Sequence, residues 1–326
     1  MPEDLILITG AGGFIGSHLV EAAVAEGYHV RALLRYNSRG NWGWLENSLV
    51  RSEVDVVVGD VRDYDSTFAA VQGCAAVFHL AALIGIPYSY VSPLAYIRTN
   101  VEGTYNVLEA SRRNGVANVI ITSTSETYGS AQRIPIDEEH PSTAQSPYAA
   151  TKVAADQLAM SYWRSFGVPV KIIRPFNTFG PRQSARAIIP SLISQIASGR
   201  KELRVGNLRP TRDFVYVLDT VRAFLAVASC EACIGTAVNV GGNCEITIRD
   251  LAHEIASLMS AEITLCEDPE RVRPSSSEVD RLCCDNSRIR ALTGWHPQWD
   301  LRGGLKETIQ WLELNRAHFK ANLYAI

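Results

Sequence analysis

Two short stretches of the 326-residue chain carry residues whose types and spacing suit acid-base chemistry. In the first, the apolar run Val119, Ile120, Ile121 breaks into Thr122-Ser123-Thr124-Ser125-Glu126-Thr127-Tyr128-Gly129, so a buried strand is expected to end in hydroxyls and one carboxylate. Ligands of open parallel α/β sheets sit beyond the carboxyl ends of the strands, which makes Thr124, Ser125 and Glu126 candidate acid and base groups. In the second, Ser146-Pro147 opens a helix expected over 147–167, with Tyr148 in its first turn and Lys152 four residues on. Residues i and i+4 share a helix face, so the ammonium is expected beside the phenol. A neighbouring cation lowers a phenol pKa from about 10 and lets tyrosinate act as a base.

These residues need a scaffold, and the chain spells one out. A short apolar strand over 5–9 runs into Gly10-Ala11-Gly12-Gly13-Phe14-Ile15-Gly16 and then an amphipathic segment over 17–26. Strand, glycine turn and helix form a dinucleotide cradle, in which Gly10, Gly13 and Gly16 let the backbone approach a pyrophosphate and the helix N-terminus offers free N–H groups, with Phe14 and Ile15 beside them. The second strand, over 29–34, ends where an NAD-preferring site carries an acidic residue; here Leu34 is followed by Arg35, with Arg39 beyond. Arginine accepts a 2′-phosphate, which favours NADP, with NAD the alternative. Asp60, with Val61 next to it, either bonds the adenine or caps the following helix. Leu80, Ala81 and Ala82 end a fourth strand whose small residues let the backbone lie against the cofactor, while His79 reads as core. A long helix is expected over 93–114 with a stop at Gly115, and Asn100 on a different face supports a proton relay. Trp42 and Trp44 either close over the adenine or pack a local helix.

The fold class is α/β: a Rossmann-type, doubly wound parallel sheet with a smaller C-terminal α/β substrate domain. The division expected is 1–176 with 212–242 for the dinucleotide and 177–211 with 243–326 for the substrate. A formal charge of -3 without long runs of one sign gives no footprint for nucleic acid or an anionic membrane. The N-terminus, starting Met1-Pro2-Glu3-Asp4, shows no secretory leader, and a cytoplasmic protein with seven reduced cysteines is expected. Cys230-x-x-Cys233 with Cys244 lacks a fourth ligand, so no metal is assigned.

Taken together, Thr9–Gly16, His79-Leu80-Ala81-Ala82, Thr99–Thr104, Tyr148 with Lys152, Arg174-Pro175-Phe176-Asn177, Arg212–Val217 and Thr293–Pro297 resemble the extended short-chain dehydrogenase/reductases. The resemblance spans nearly the whole chain. Within that branch, Thr124-Ser125-Glu126 is similar to the 4,6-dehydratases, in the form found in the GDP-mannose enzymes. Asn41–Glu46, Ala82–Val91 and Gly180–Ala187 resemble the legionaminic-acid-pathway dehydratases of GDP-N-acetylglucosamine.

The resemblance implies an internal redox elimination. Tyr148, with Lys152 and Thr124, would take the sugar 4-hydroxyl proton as hydride leaves C4; Glu126 would take the C5 proton; Ser125, directly or through water, would protonate the departing 6-hydroxyl. It further implies Ser89, Asn177, Arg182, Arg212 and Arg273 as substrate ligands, the last four for the diphosphate, and a homodimer formed by helices 93–114 and 147–167. A 4-epimerase and a non-catalytic cofactor sensor are the competing readings.

Overall fold

The structure is a computed structural model that describes residues 4–316. Residues 1–3, on which the expectation about a leader bears, and 317–326, at the end of the expected substrate domain, lie outside the described residues.

The first half alternates strand and helix: β1 (Leu5–Thr9), α1 (Phe14–Ala25), β2 (His29–Arg35), β3 (Val54–Gly59), α2 (Tyr64–Val71) and β4 (Ala76–His79). Then come α3 (Ile86–Val91), α4 (Pro93–Tyr96), α5 (Gly103–Asn114), β5 (Asn118–Thr122), α6 (Pro147–Phe166) and β6 (Val170–Pro175). With β10 (Ala237–Val240), these strands make one parallel sheet in the order β10-β6-β5-β4-β1-β2-β3. Its strands read as unbroken apolar runs because both faces are covered. In β1, Ile6 and Ile8 face a cluster with Leu19 and Val20 of α1, while Leu7 faces Val107 and Leu108 of α5. The strand order reverses between β1 and β4, the switch point at which such sheets hold ligands.

The smaller part contains β7 (Asn177–Phe179), α7 (Ile188–Ala197), β8 (Glu202–Val205), β9 (Thr211–Tyr216), β11 (Glu245–Thr247), α9 (Ile248–Leu258), β12 (Thr264–Glu267) and α11 (Leu301–Leu314), while α8 (Val217–Ser229) and α10 (Ser287–Thr293) pack against the large sheet. β9 opens the second large-domain segment, 212–242, yet it pairs with β7 and β11 in a separate three-stranded sheet. Its burial pattern, with two buried residues after each half-buried one, does not reveal which sheet it joins.

The expected helix over 93–114 is interrupted. Ile97–Glu102 forms a π-helical turn between α4 and α5, and Gly115 ends α5 with a φ of 63°. Within that turn Asn100 accepts from Leu83 N at 2.9 Å and donates to Leu83 O and Thr151 Oγ1, both at 3.0 Å. The cap of α2 is Asp63, not Asp60. Among the described residues no helix is long and apolar enough to cross a membrane, no group of side chains is arranged to hold a metal, and none of the seven cysteines is disulfide-bonded.

Candidate active site

A cleft of about 1030 Å³ opens along the carboxyl edge of the large sheet and is walled on its far side by the smaller part. Its floor begins at the glycine turn. Gly10 has a φ of +69°, and a Cβ there would lie 2.9 Å from Ala81 N, so a side chain would separate β1 from β4. A Cβ on Gly16 would come within 2.2 Å of Gly10 O, which keeps α1 tight against the turn. Gly13 caps α1 without a side chain, leaving the first-turn N–H groups uncapped toward the cleft. Gly10, Gly13, Phe14, Ile15, Gly16, Arg35, Asp60, Val61, Leu80, Ala81 and Ala82 all line it. Asp60 is held by Arg62, whose Nε lies 2.9 Å from its Oδ1, and that pairing keeps its carboxyl below the usual range. Trp42 lines the cleft, whereas Trp44 packs edge-on against Trp311 of α11 at 5.3 Å.

At the tip of β5, Ser123 N bonds Ile173 O at 2.7 Å, and Thr124 then caps a one-turn helix, Ser125–Tyr128, by accepting from Glu126 N at 3.2 Å. The turn divides the expected triad. Thr124 and Glu126 line the cleft; Ser125 is 3% exposed and is not among the lining residues.

On α6, Ser146 accepts from Ala149 N at 3.1 Å, and Pro147 sits at the first helical position, so the capping chemistry read from sequence sets where Tyr148 begins. Tyr148 and Lys152 are both buried at the cleft. The expected effect of the lysine on the phenol is overturned. Lys152 Nζ donates to Thr122 O at 2.5 Å, and burial raises the Tyr148 pKa above its ordinary value, with a hydrogen bond to Thr124 opposing. Burial also pushes Lys152 down to about 8, against the pull of Asp156. Helical spacing puts the two side chains on one face, but the free carbonyl at the strand end captures the ammonium.

The opposite wall holds the cations. Arg212 is buried and donates to Thr211 O at 2.9 Å and Val279 O at 2.8 Å, and its guanidinium lies 3.3 Å from Glu278. Arg273 Nη1 lies 3.9 Å from Glu126 and 3.8 Å from Glu278, buried with no hydrogen-bond partner. Asn177 also lines this wall. Two expected ligands stand elsewhere. Arg182 donates to Ser17 Oγ at 3.1 Å and pairs with Glu21 at 2.8 Å, both on α1, and Ser89 is fully buried with its hydroxyl on Ile86 O at 2.7 Å. Asn100 likewise lies outside the cleft lining and acts on Leu83, which does line it. Sequence reasoning missed Glu278 and Arg186, whose guanidinium lies 3.5 Å from a Cβ placed on Gly85, across the cleft. Glu278 sits in no pattern that would have singled it out, whereas Arg186 lies within Gly180–Ala187, a stretch in which only Arg182 was expected to bind substrate.

Comparison with known proteins agrees with this architecture. The chain is 30% identical over 324 residues to human dTDP-D-glucose 4,6-dehydratase, covering 97% of this chain and 91% of that one. It is 35% identical over 311 residues to a UDP-glucose 4-epimerase of Mycolicibacterium smegmatis, covering 93% and 97%. The dTDP-glucose 4,6-dehydratase of Streptomyces venezuelae, solved with NAD and TYD bound, superposes with a TM-score of 0.87 at 29% identity over 96% of this chain and 98% of that one. The GDP-mannose 4,6-dehydratase family pattern matches residues 7–308. A glycine cradle at the switch point, a Tyr-Lys helix and a strand tip bearing glutamate therefore sit in a chain that belongs to the GDP-mannose 4,6-dehydratase family of extended short-chain dehydrogenase/reductases.

Proposed function

We propose that the protein is a nucleotide-sugar 4,6-dehydratase that converts an NDP-hexose, with GDP-N-acetylglucosamine favoured, to its 4-keto-6-deoxy product. The observation that carries this reading is Glu126, a carboxylate in the same cleft as Thr124, Tyr148 and Lys152. The glycine cradle and uncapped α1 N-terminus fit a nicotinamide dinucleotide, and Arg35 at the end of β2, where no acidic side chain stands, favours NADP over NAD.

Tyr148 takes the proton of the sugar 4-hydroxyl, with Thr124 hydrogen-bonded to the same oxygen. A nicotinamide held by the glycine turn and by Leu80, Ala81 and Ala82 would supply a hydride acceptor for C4 and a hydride donor for C6. The 4-ketone acidifies C5, and Glu126 removes the C5 proton. Because Ser125 does not line the cleft, Glu126 also hands a proton to the departing 6-hydroxyl, which leaves as water; a proton returns to C5 from solvent. Arg212, Arg273 and Asn177 hold the diphosphate, for which guanidinium groups are suited.

A 4-epimerase is the second reading, favoured by the 35% identity to the mycobacterial enzyme. The test is incubation with GDP-, UDP- and dTDP-hexoses and their 2-acetamido forms, with NADP or NAD, and product mass as the readout. Loss of one water supports the dehydratase; an unchanged mass with a new C4 configuration overturns it. A homodimer belongs to the same proposal. Leu94, Ile97 and Tyr105 are exposed on α4, the π-turn and α5, as is Phe166 at the end of α6, and sedimentation at micromolar concentration reads the stoichiometry.

A further inference from the structure

We infer that Asp156 is a positioning residue for the catalytic lysine: it ties down the tip of β5 and supplies the negative charge beside which Lys152 remains an ammonium inside the protein. Its catalytic meaning rests on the reading of Tyr148 and Lys152 as the hydride-transfer pair.

Asp156 continues the face of α6 that carries Tyr148 and Lys152, four residues beyond the lysine. It is 2% exposed. Its Oδ2 accepts from Ser123 Oγ at 2.8 Å and from Arg174 Nε and Nη2 at 3.1 and 3.0 Å, while its Oδ1 is buried with no hydrogen-bond partner. Lys152 holds the carbonyl of Thr122, the residue immediately before Ser123. The ammonium and the carboxylate therefore converge on consecutive residues, whose Cα atoms are about 3.8 Å apart.

A lysine removed from water loses the hydration that favours its charge, and an anion nearby restores part of it. Burial is the larger influence on Lys152 and Asp156 is the group that opposes it. The other titratable groups facing the lysine do not share that task. Tyr148, on the same helix, has its ionisation opposed by burial, and His79 on β4 is buried, its pKa pushed down to about 3 by burial and by Lys152 itself. Arg174 on β6 draws on the same carboxylate and passes the link on through Tyr128, whose hydroxyl donates to Asn239 at 2.7 Å.

A purely structural role would need only the three bonds to Oδ2. The distinguishing experiment follows the side-chain carbon of Lys152 by NMR in ¹³C-lysine-labelled protein across pH 6 to 11, with Lys152→Arg to assign the signal. In the wild type the signal should titrate near pH 8, and Asp156→Asn should move it down by about one unit or more, with Asp156→Glu restoring it. The alkaline limb of kcat should shift by the same amount. A titration unchanged in Asp156→Asn overturns the inference. If that variant does not fold, Asp156→Asn combined with Arg174→Gln removes the ion pair whole and leaves no buried charge unpaired: a Lys152 titration moved down supports the inference, and one equal to wild type overturns it. Because the titration needs no turnover, the two readings fail separately: a shifted lysine in a protein that releases no water from any nucleotide sugar sinks the dehydratase alone.

Discussion

The two walls of the cleft are built by different means. The sheet-side wall takes Thr124, Tyr148 and Lys152 from a strand end and a capped helix, and all three stand within the cleft lining. The far wall takes its arginines from loops and the small sheet, and there Arg212 and Arg273 reach the cleft while Arg182 turns away to α1. Regular backbone converts sequence spacing into geometry; a loop lets distant partners decide where a side chain goes. Glu126 stands where the walls meet, on the strand-tip turn but 3.9 Å from Arg273.

The sharpest break in this arrangement is Glu126→Gln. Loss of water at C6 should fall by about 10²- to 10⁴-fold, the range for losing a positioned base, while reduction of the cofactor by C4 survives. Product mass and nicotinamide absorbance report the two steps separately. Retention of near wild-type dehydration would remove Glu126 from the mechanism.

On the opposite wall, Arg212→Gln should raise KM for the nucleotide sugar by about 10- to 100-fold, as expected for a charge-assisted contact to a phosphate. The change in kcat should be smaller. Equal losses in kcat and kcat/KM would move Arg212 from substrate binding to transition-state stabilisation.

How much of this was legible follows the same line. β1 with its glycine turn, the Ser146 cap and the Tyr148-to-Lys152 spacing are local patterns, and the structure puts each on the element expected. What spacing could not give was the direction of a side chain once it left its helix. Lys152 finds Thr122 O, a carbonyl 30 residues away in sequence, and Asn100 is turned onto Leu83 by a π-helical insertion that a 3.6-residue pattern does not announce. Glu278 is held on the cleft wall by its own backbone, its carbonyl accepting from Gln145 Nε2 at 3.1 Å. No motif around it signals that placement.

The buried lysine gives the sheet-side wall a pH signature. Its pKa in the folded protein, about 8, is below the unfolded value of about 10.4, so between these values the unfolded chain binds more protons and this group's contribution to stability rises with pH. Activity runs the other way, falling above pH 8 as the ammonium is lost, by about tenfold per pH unit at the limit. Denaturant midpoints of wild type and Lys152→Met should therefore approach each other, or cross in favour of wild type, between pH 7 and 9.5, while kcat of the wild type declines. A gap independent of pH would mean that the lysine is not titrating inside the fold.

The smallest effect is the most discriminating for the far wall. Arg182 adopts a φ of +70°, a left-handed conformation that costs a non-glycine residue energy, and its guanidinium spans from the loop after β7 to Ser17 and Glu21 of α1. That half-buried ion pair, with side chains 19% and 29% exposed, pulls Glu21 below the usual carboxylate range and fastens the small part to the cradle helix. Arg182→Gln should lower stability by about 0.5–1 kcal/mol and leave KM for the nucleotide sugar within about twofold. If KM instead rises as it does for Arg212→Gln, the arginine must leave Glu21 when substrate arrives, and the far wall rearranges on binding in a way the sheet-side wall does not.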